Sequence, residues 1–170
     1  IMPSLVGSEM CIRDRLYADP HARRSIREET EQRWAAQAHD LSLLRRESIR
    51  IALERAGEDT ALAEPGFELF FAERMRVELF EDAIPVLDWM AQRWPLYAVS
   101  NGNADVRRVG LGDYFSGSVN AREAGVGKPD PKIFHLAAQA LQLAPEHILH
   151  VGDDAALDLS LIHISEPTRL

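Results

Sequence analysis

The apolar run Ile148-Leu149-His150-Val151 breaks at Gly152 and delivers acids at positions 153, 154 and 158. A strand that ends this way sets carboxylates at the carboxyl edge of a sheet, where open α/β folds bind ligands. Carboxylates gathered there are costly unless a cation neutralises them, and a hard, oxygen-loving ion such as Mg²⁺ is the usual partner. Asp153 is the first candidate metal ligand, with Asp154 and Asp158 the next choices. The competing reading is a helix N-terminus decorated with acids, worth only about 0.3–1 kcal/mol.

Two other places could act on an anion. Ser100-Asn101-Gly102-Asn103 follows a short apolar run, and such a turn presents a hydroxyl and backbone N–H groups. A plain Asn-Gly β-turn is the alternative. Lys128 stands between Gly127 and Pro129, from where it could reach a phosphate or pair with the acids at 153 and 158. A solvated loop lysine is the alternative. His135, His147 and His150 have no ligand-set spacing, and His150 reads as packing or surface. Trp34, Trp89 and Trp94 read as core, and Arg45, Arg46 and Arg50 as one wet helical face.

The elements that must position these residues fall into two styles. Residues 16–80 read as a small bundle of helices: Arg23 to Ala38, Leu41 to Ala56 stopping at Gly57, a turn at Pro65-Gly66, and Phe67 to Leu79. From 81 to 158 helix and strand alternate. Asp82 to Trp94 is a helix with Asp82 as N-cap and Pro85 in its first turn, its face of Ile84, Leu87 and Met90 turned to a sheet. Leu96 to Val99 is a strand, Ala104 to Val109 a short helix, Ser118 to Ala121 a strand, Asp130 to Leu141 a helix and Ile148 to Val151 the last strand. This half reads as α/β with parallel strands.

The two ends read differently. Ser4 to Arg15 and Leu159 to Leu170 back-translate into DNA strands that are reverse complements of each other. That DNA resembles the transposase adaptor used in sequencing libraries, so residues 1–15 and 159–170 are set aside as tails. Cys11, the single cysteine, lies in one of them, and the rest fits a reducing cytoplasm. His163 and Glu166 lose any metal-site weight for the same reason. The tails carry no net charge, so the −8 of the chain belongs to the part between them. With a pI near 5.2 a general nucleic-acid surface is excluded. No apolar run approaches the roughly 20 residues of a membrane span. A small phosphorylated molecule, whose charge is met locally, remains open as a partner.

Strand–Ser-Asn-Gly, then Lys-Pro before a helix, then strand–Gly-Asp-Asp with a later Asp, occur here in that order. The set resembles the haloacid-dehalogenase-like hydrolases. WPLYAVSNGN, GLGDYF, GKPDPKIFHLAAQAL and ILHVGDDAALD look most similar to bacterial phosphatases that act on flavin mononucleotide and on the phosphorylated pyrimidine intermediate of riboflavin synthesis. The resemblance implies a Rossmann-like parallel sheet core over 81–158 and a helical cap over 16–80 that chooses the substrate.

It also implies phosphomonoester hydrolysis through an aspartyl phosphate with Mg²⁺ as cofactor. Ser100, Asn101 and Gly102 would bind the phosphate, Lys128 would stabilise negative charge on it, Asp153 and Asp154 would serve the metal, and Asp158 would orient Lys128 or the metal's waters. A dehalogenase of the same fold, which needs no metal, is one alternative. A non-catalytic α/β binding module whose acids merely cap a helix is another. One departure matters more than the match. The family's first motif, Asp-x-Asp-x-Thr, is absent, and neither Asp14 nor Asp19 supplies it. In the family that strand lies between those carrying the serine and the acidic motifs. The expectation is therefore an inactive fragment of a phosphatase, with a defect at the sheet centre.

Overall fold

In the computed structural model, residues 19–158 are described; the two sequence tails, with Cys11, His163 and Glu166, lie outside them. The described residues form two compact units, divided between Glu73 and Arg74.

The first unit is helical. Helix α1 spans Pro20–Arg33 and α2 spans Leu41–Ala56, with a 3-10 turn at Ala35–Gln37 between them. Asp19 caps α1, its Oδ1 accepting from the His21 N–H at 2.9 Å, and Pro20 sits where a missing N–H costs nothing. Asp40 caps α2 by accepting from the N–H groups of Ser42 and Leu43, both at 3.0 Å. Gly57 closes α2 with a left-handed φ of 70°, which glycine adopts without a Cβ clash. Ile26, Ile51 and Ala52 are buried together, with Trp34 packed against them.

Helix α3 spans Ala63–Arg74, which corrects two expectations. Pro65-Gly66 is not a turn: Pro65 falls in the first helical turn, where backbone N–H groups have no intrahelical acceptor to lose. The helix also ends at Arg74 rather than Leu79. The arginines of α2 are not simply wet. Arg46 lies over the Phe67 ring at 4.3 Å and pairs with Glu64 at 2.6 Å, while Arg45 lies over Phe70 at 4.6 Å. Their planar guanidinium groups cover aromatic faces that α3 leaves at its surface.

The second unit is α/β. Helix α4 spans Ala83–Ala91, β1 spans Tyr97–Ser100, β2 spans Gly117–Asn120, α5 spans Ala121–Ala124 and α6 spans Pro131–Leu141. β1 and β2 pair in parallel, Tyr97 opposite Gly117 and Ser100 opposite Asn120. The core is the junction of this sheet with α5 and α6: Val119, Ala121, Ala124, Ile133 and Ala137 are buried, with Tyr97, Val99, Val126, Phe134 and Leu136 packed on them. Asp130 caps α6 through Lys132 N–H at 2.9 Å, and Asn120 and Glu123 form a reciprocal capping box on α5. The α/β class with a parallel sheet is thus as expected from the sequence.

Four details differ. Asp82 precedes α4, but its side chain makes no cap bond. Residues 104–109 form turns, not a helix: Asp105 accepts from the N–H groups of Arg107 and Arg108, and Gly110 at φ 84° ends the run after one turn. Trp89 and Trp94 are not core. They are 51% and 53% exposed, meet edge to face at 5.5 Å, and Arg93 covers Trp89 at 4.4 Å, because α4 has no fully buried face.

Last, Ile148 has extended dihedrals, but Ile148–Val151 belongs to no ladder. A strand persists only when its N–H and C=O groups meet a neighbour, and no described segment pairs with this one. Leu149 and Val151 are consequently 86% and 73% exposed.

Candidate active site

The carboxyl end of β1 supplies Ser100 and the turn after it. Ser100 Oγ accepts from the Gly102 N–H at 2.9 Å, which leaves the hydroxyl proton for another acceptor. Gly102 is tight: a Cβ there would stand 3.1 Å from Ser100 Oγ and 3.5 Å from Nη2 of Arg74. Arg74 therefore brings a guanidinium to this turn, a cation that no motif in the sequence marked.

Asn101 does something the sequence did not show. Its Nδ2 donates to the Lys128 carbonyl at 2.9 Å, and its Oδ1 accepts from the Lys128 N–H at 2.5 Å. One amide thus satisfies both backbone groups of a residue 27 positions away and fixes the Lys128 loop against the Ser100 turn. Gly127 permits the approach, since a Cβ there would stand 2.9 Å from Asn101 Oδ1. Asn101→Ala would leave that N–H and C=O without partners. We expect a loss of about 1–3 kcal/mol in urea unfolding, with Asn101→Asp worse than Asn101→Gln because its second oxygen would face a carbonyl.

Lys128 and Asp158 are joined directly: Nζ donates to Oδ1 at 2.7 Å, with the lysine side chain 14% exposed and the aspartate 1%. His150 Nε2 lies 2.8 Å from the same oxygen, and the Asp154 N–H donates to Oδ2 at 3.2 Å. The hydrogen bond from Lys128 holds the Asp158 carboxyl at about 2, below its ordinary 3.8; the His150 and Asp154 bonds act in the same direction, and burial opposes them. Gly152 is required here as well, because a Cβ would overlap the Asp158 carboxylate. His150 packs on Phe134, in keeping with its reading as packing or surface, and in addition reaches the Asp158 carboxylate, which that reading did not include. The signal available in the sequence was the period of the expected strand, which sets His150 on the opposite face from Leu149 and Val151.

The two metal candidates fare differently. Asp154 spends its Oδ1 on the N–H groups of Ala156 and Leu157, at 2.9 and 3.0 Å, as the cap of the turn that carries Asp158. Asp153 is exposed. Among the described residues no three His, Cys, Asp or Glu side chains converge on a point that could hold a metal ion. The described residues therefore do not make an Mg²⁺ site by themselves; Asp153 offers at most one carboxylate of the one or two, plus phosphate oxygens and water, that such an ion takes. What the arrangement does offer is a buried ion pair, a hydroxyl and a glycine turn clamped into one group at a strand end. Groups of this kind can bind an anion.

Comparisons with known proteins place the chain among relatives. The chain is similar to the 5-amino-6-(5-phospho-D-ribitylamino)uracil phosphatase of Escherichia coli (strain K12), 37% identical over 125 residues that cover 71% of this chain and 52% of that protein. It is similar to the phosphoserine phosphatase of Thermus thermophilus, 37% identical over 117 residues, 65% of this chain and 47% of that one. The chain thus spans about half the length of these curated relatives. Among solved structures it matches a 2-haloacid dehalogenase from Pseudomonas syringae pv. Tomato DC3000 with a TM-score of 0.79 and 34% identity, over 96% of this chain and 76% of that one. The family model for haloacid dehalogenase-like hydrolases matches residues 12–162, and on that match the chain belongs to the haloacid dehalogenase-like hydrolases.

Proposed function

We propose that this chain carries the phosphoryl-binding half of a phosphomonoester hydrolase. Ser100, Asn101 and Gly102 bind the phosphate, Lys128 stabilises its negative charge, and Asp158 holds Lys128 in place. The observation that carries the reading is the Asn101 clamp: it places a lysine already paired to a buried carboxylate beside a turn whose hydroxyl proton is free to donate. The phosphatase relatives support the same reaction class. The substrate proposed is flavin mononucleotide or a related small phosphate, with the helices of 16–80 as the substrate-selecting cap domain and 81–158 as the core domain.

In the full enzyme the reaction proceeds through an aspartyl phosphate, with Mg²⁺ as cofactor and Asp153, helped by Asp154, on its side of the site. The described residues do not by themselves complete a site for that metal. The sequence contains no Asp-x-Asp, so the 170-residue chain should release no phosphate. A cytoplasmic setting is part of the proposal; among the described residues no helix is long and apolar enough to cross a membrane.

The test is a panel of phosphomonoesters with and without Mg²⁺, run on this chain and on a longer form extended upstream by an apolar strand ending in Asp-x-Asp. Expected is no release by the chain and Mg²⁺-dependent release by the longer form. Silence of the longer form on every ester would end the phosphatase reading. Hydrolysis by the chain itself, lost in Asp153→Ala, would end the claim of inactivity. The dehalogenase neighbour favours a second reading, metal-independent halide release from a 2-haloacid, which the same longer form would reveal without Mg²⁺.

A further inference from the structure

Among the described residues of the second unit, His150 is the ring that reaches the buried carboxylate, and its surroundings explain its orientation. Its neighbours Leu149 and Val151 are 86% and 73% exposed, while His150 between them is half-buried. There it meets Phe134 of α6 edge to face, with ring centroids 5.0 Å apart and planes at 85°. The stacking aims Nε2 at Asp158 Oδ1, 2.8 Å away.

The chemistry then decides the direction of that bond. Lys128 holds Asp158 as a carboxylate, which only accepts. Nε2 must therefore carry the proton in this bond and donate it. Oδ1 thus takes two donors, Lys128 Nζ at 2.7 Å and His150 Nε2 at 2.8 Å, while Oδ2 takes the Asp154 N–H at 3.2 Å. A carboxylate with one bond to each oxygen could still rock about its Cβ–Cγ axis. A second donor on Oδ1, borne by a ring packed on Phe134, restrains that motion.

We propose that His150 is a positioning residue: acting through Asp158 rather than on any substrate, it locks the carboxylate that in turn fixes where Lys128 presents its remaining N–H groups. The proposal rests on the phosphoryl reading only for what Lys128 is aimed at; the lock itself does not depend on it. Without the lock, Lys128 stays paired but wanders with its partner, and an anion at the Ser100 turn meets a cation of uncertain position.

The test uses the whole chain and two substitutions that separate donor from ring. His150→Phe keeps an aromatic face on Phe134 and has no donor; His150→Gln places an amide N–H near the former Nε2 and has no ring. The first readout is the nitrogen NMR signature of His150 at mildly alkaline pH, which should be that of the Nε2–H tautomer. The second is the exchange of the Lys128 ammonium protons with water. That rate should rise about fivefold in His150→Phe, the effect of losing one charge-assisted hydrogen bond on the shared carboxylate, and stay within about twofold of the original in His150→Gln.

A Phe variant with unchanged exchange, or a Gln variant as fast as Phe is expected to be, would reduce His150 to packing and overturn the proposal. So would an Nδ1–H tautomer. Should His150→Phe fail to fold, the Gln variant and the tautomer still decide. Inorganic phosphate added to the unsubstituted chain separates the two ideas. If it leaves the Lys128 resonance unmoved while His150→Phe loosens the pair, the phosphoryl reading falls and the lock stands.

Discussion

Asp158→Ala is expected to destabilise the second unit by about 2–3 kcal/mol at neutral pH, read from urea or thermal unfolding. Removing one partner of a buried ion pair costs roughly 3–5 kcal/mol because the other charge is stranded. Here the stranded groups keep some water, Lys128 being 14% and His150 28% exposed in their side chains, so the loss falls below that range.

The same pair sets an acid limit. The Asp158 carboxyl is lowered from 3.8 to about 2 by its bond from Lys128. A lowered carboxyl contributes stability that is complete above its unfolded value and is lost as pH falls through the folded one. The original chain should therefore lose on the order of 2 kcal/mol between about pH 4 and pH 2, a component that Asp158→Ala lacks. Parallel acid-unfolding curves for the two proteins over that window would remove the ion pair from the account. Asp158→Asn is the useful control: it keeps the shape and an acceptor oxygen but not the charge, and should fall between them.

Ile133→Ala is expected to cost about 3 kcal/mol or more, by the usual sum of lost transfer energy and residual cavity for a buried aliphatic side chain. Ile133 has 0% exposure and sits where α6 meets Val119 of β2 and the buried alanines of α5. Ile133→Val should cost only about 0.5–1.5 kcal/mol. Leu149→Ala, at 86% exposure, should change stability by less than about 0.5 kcal/mol despite removing as much apolar volume. Because α6 begins two residues after Pro129, loosening its seat should also weaken the Lys128–Asp158 pair. Faster exchange of the Lys128 ammonium protons in Ile133→Ala would report that link; a stability loss with unchanged exchange would show that the site is held by Asn101 and Asp158 alone.

Much of the second unit was legible because its signals are local. Asp130-Pro131 announces a helix start, and α6 begins there. The apolar runs before Ser100 and around Val119 become β1 and β2 within a residue of their expected bounds. The order of motifs named the family, since a Ser-Asn-Gly turn, a Lys-Pro pair and a Gly-Asp-Asp run each carry a backbone requirement that survives without context. Where local signals misled, a neighbour had decided the outcome. Ile148–Val151 has the composition of a strand, but pairing is a property of two segments. Trp89 and Trp94 have the composition of core, but burial depends on what covers α4. Pro65-Gly66 reads as a turn because proline usually breaks helices, yet the first helical turn tolerates it.

The amino-acid order by itself determined which side chains could handle an anion and that they sit on an alternating helix–strand frame, because residue type and period are written along the chain. Only the tertiary structure decided how they are joined. Asn101 grips a backbone 27 residues away, His150 and Lys128 share one oxygen of Asp158, and Asp154 caps the turn that carries Asp158. Contacts of this kind link positions remote in sequence through distances of a few ångströms, and no periodicity along the chain encodes a distance across it.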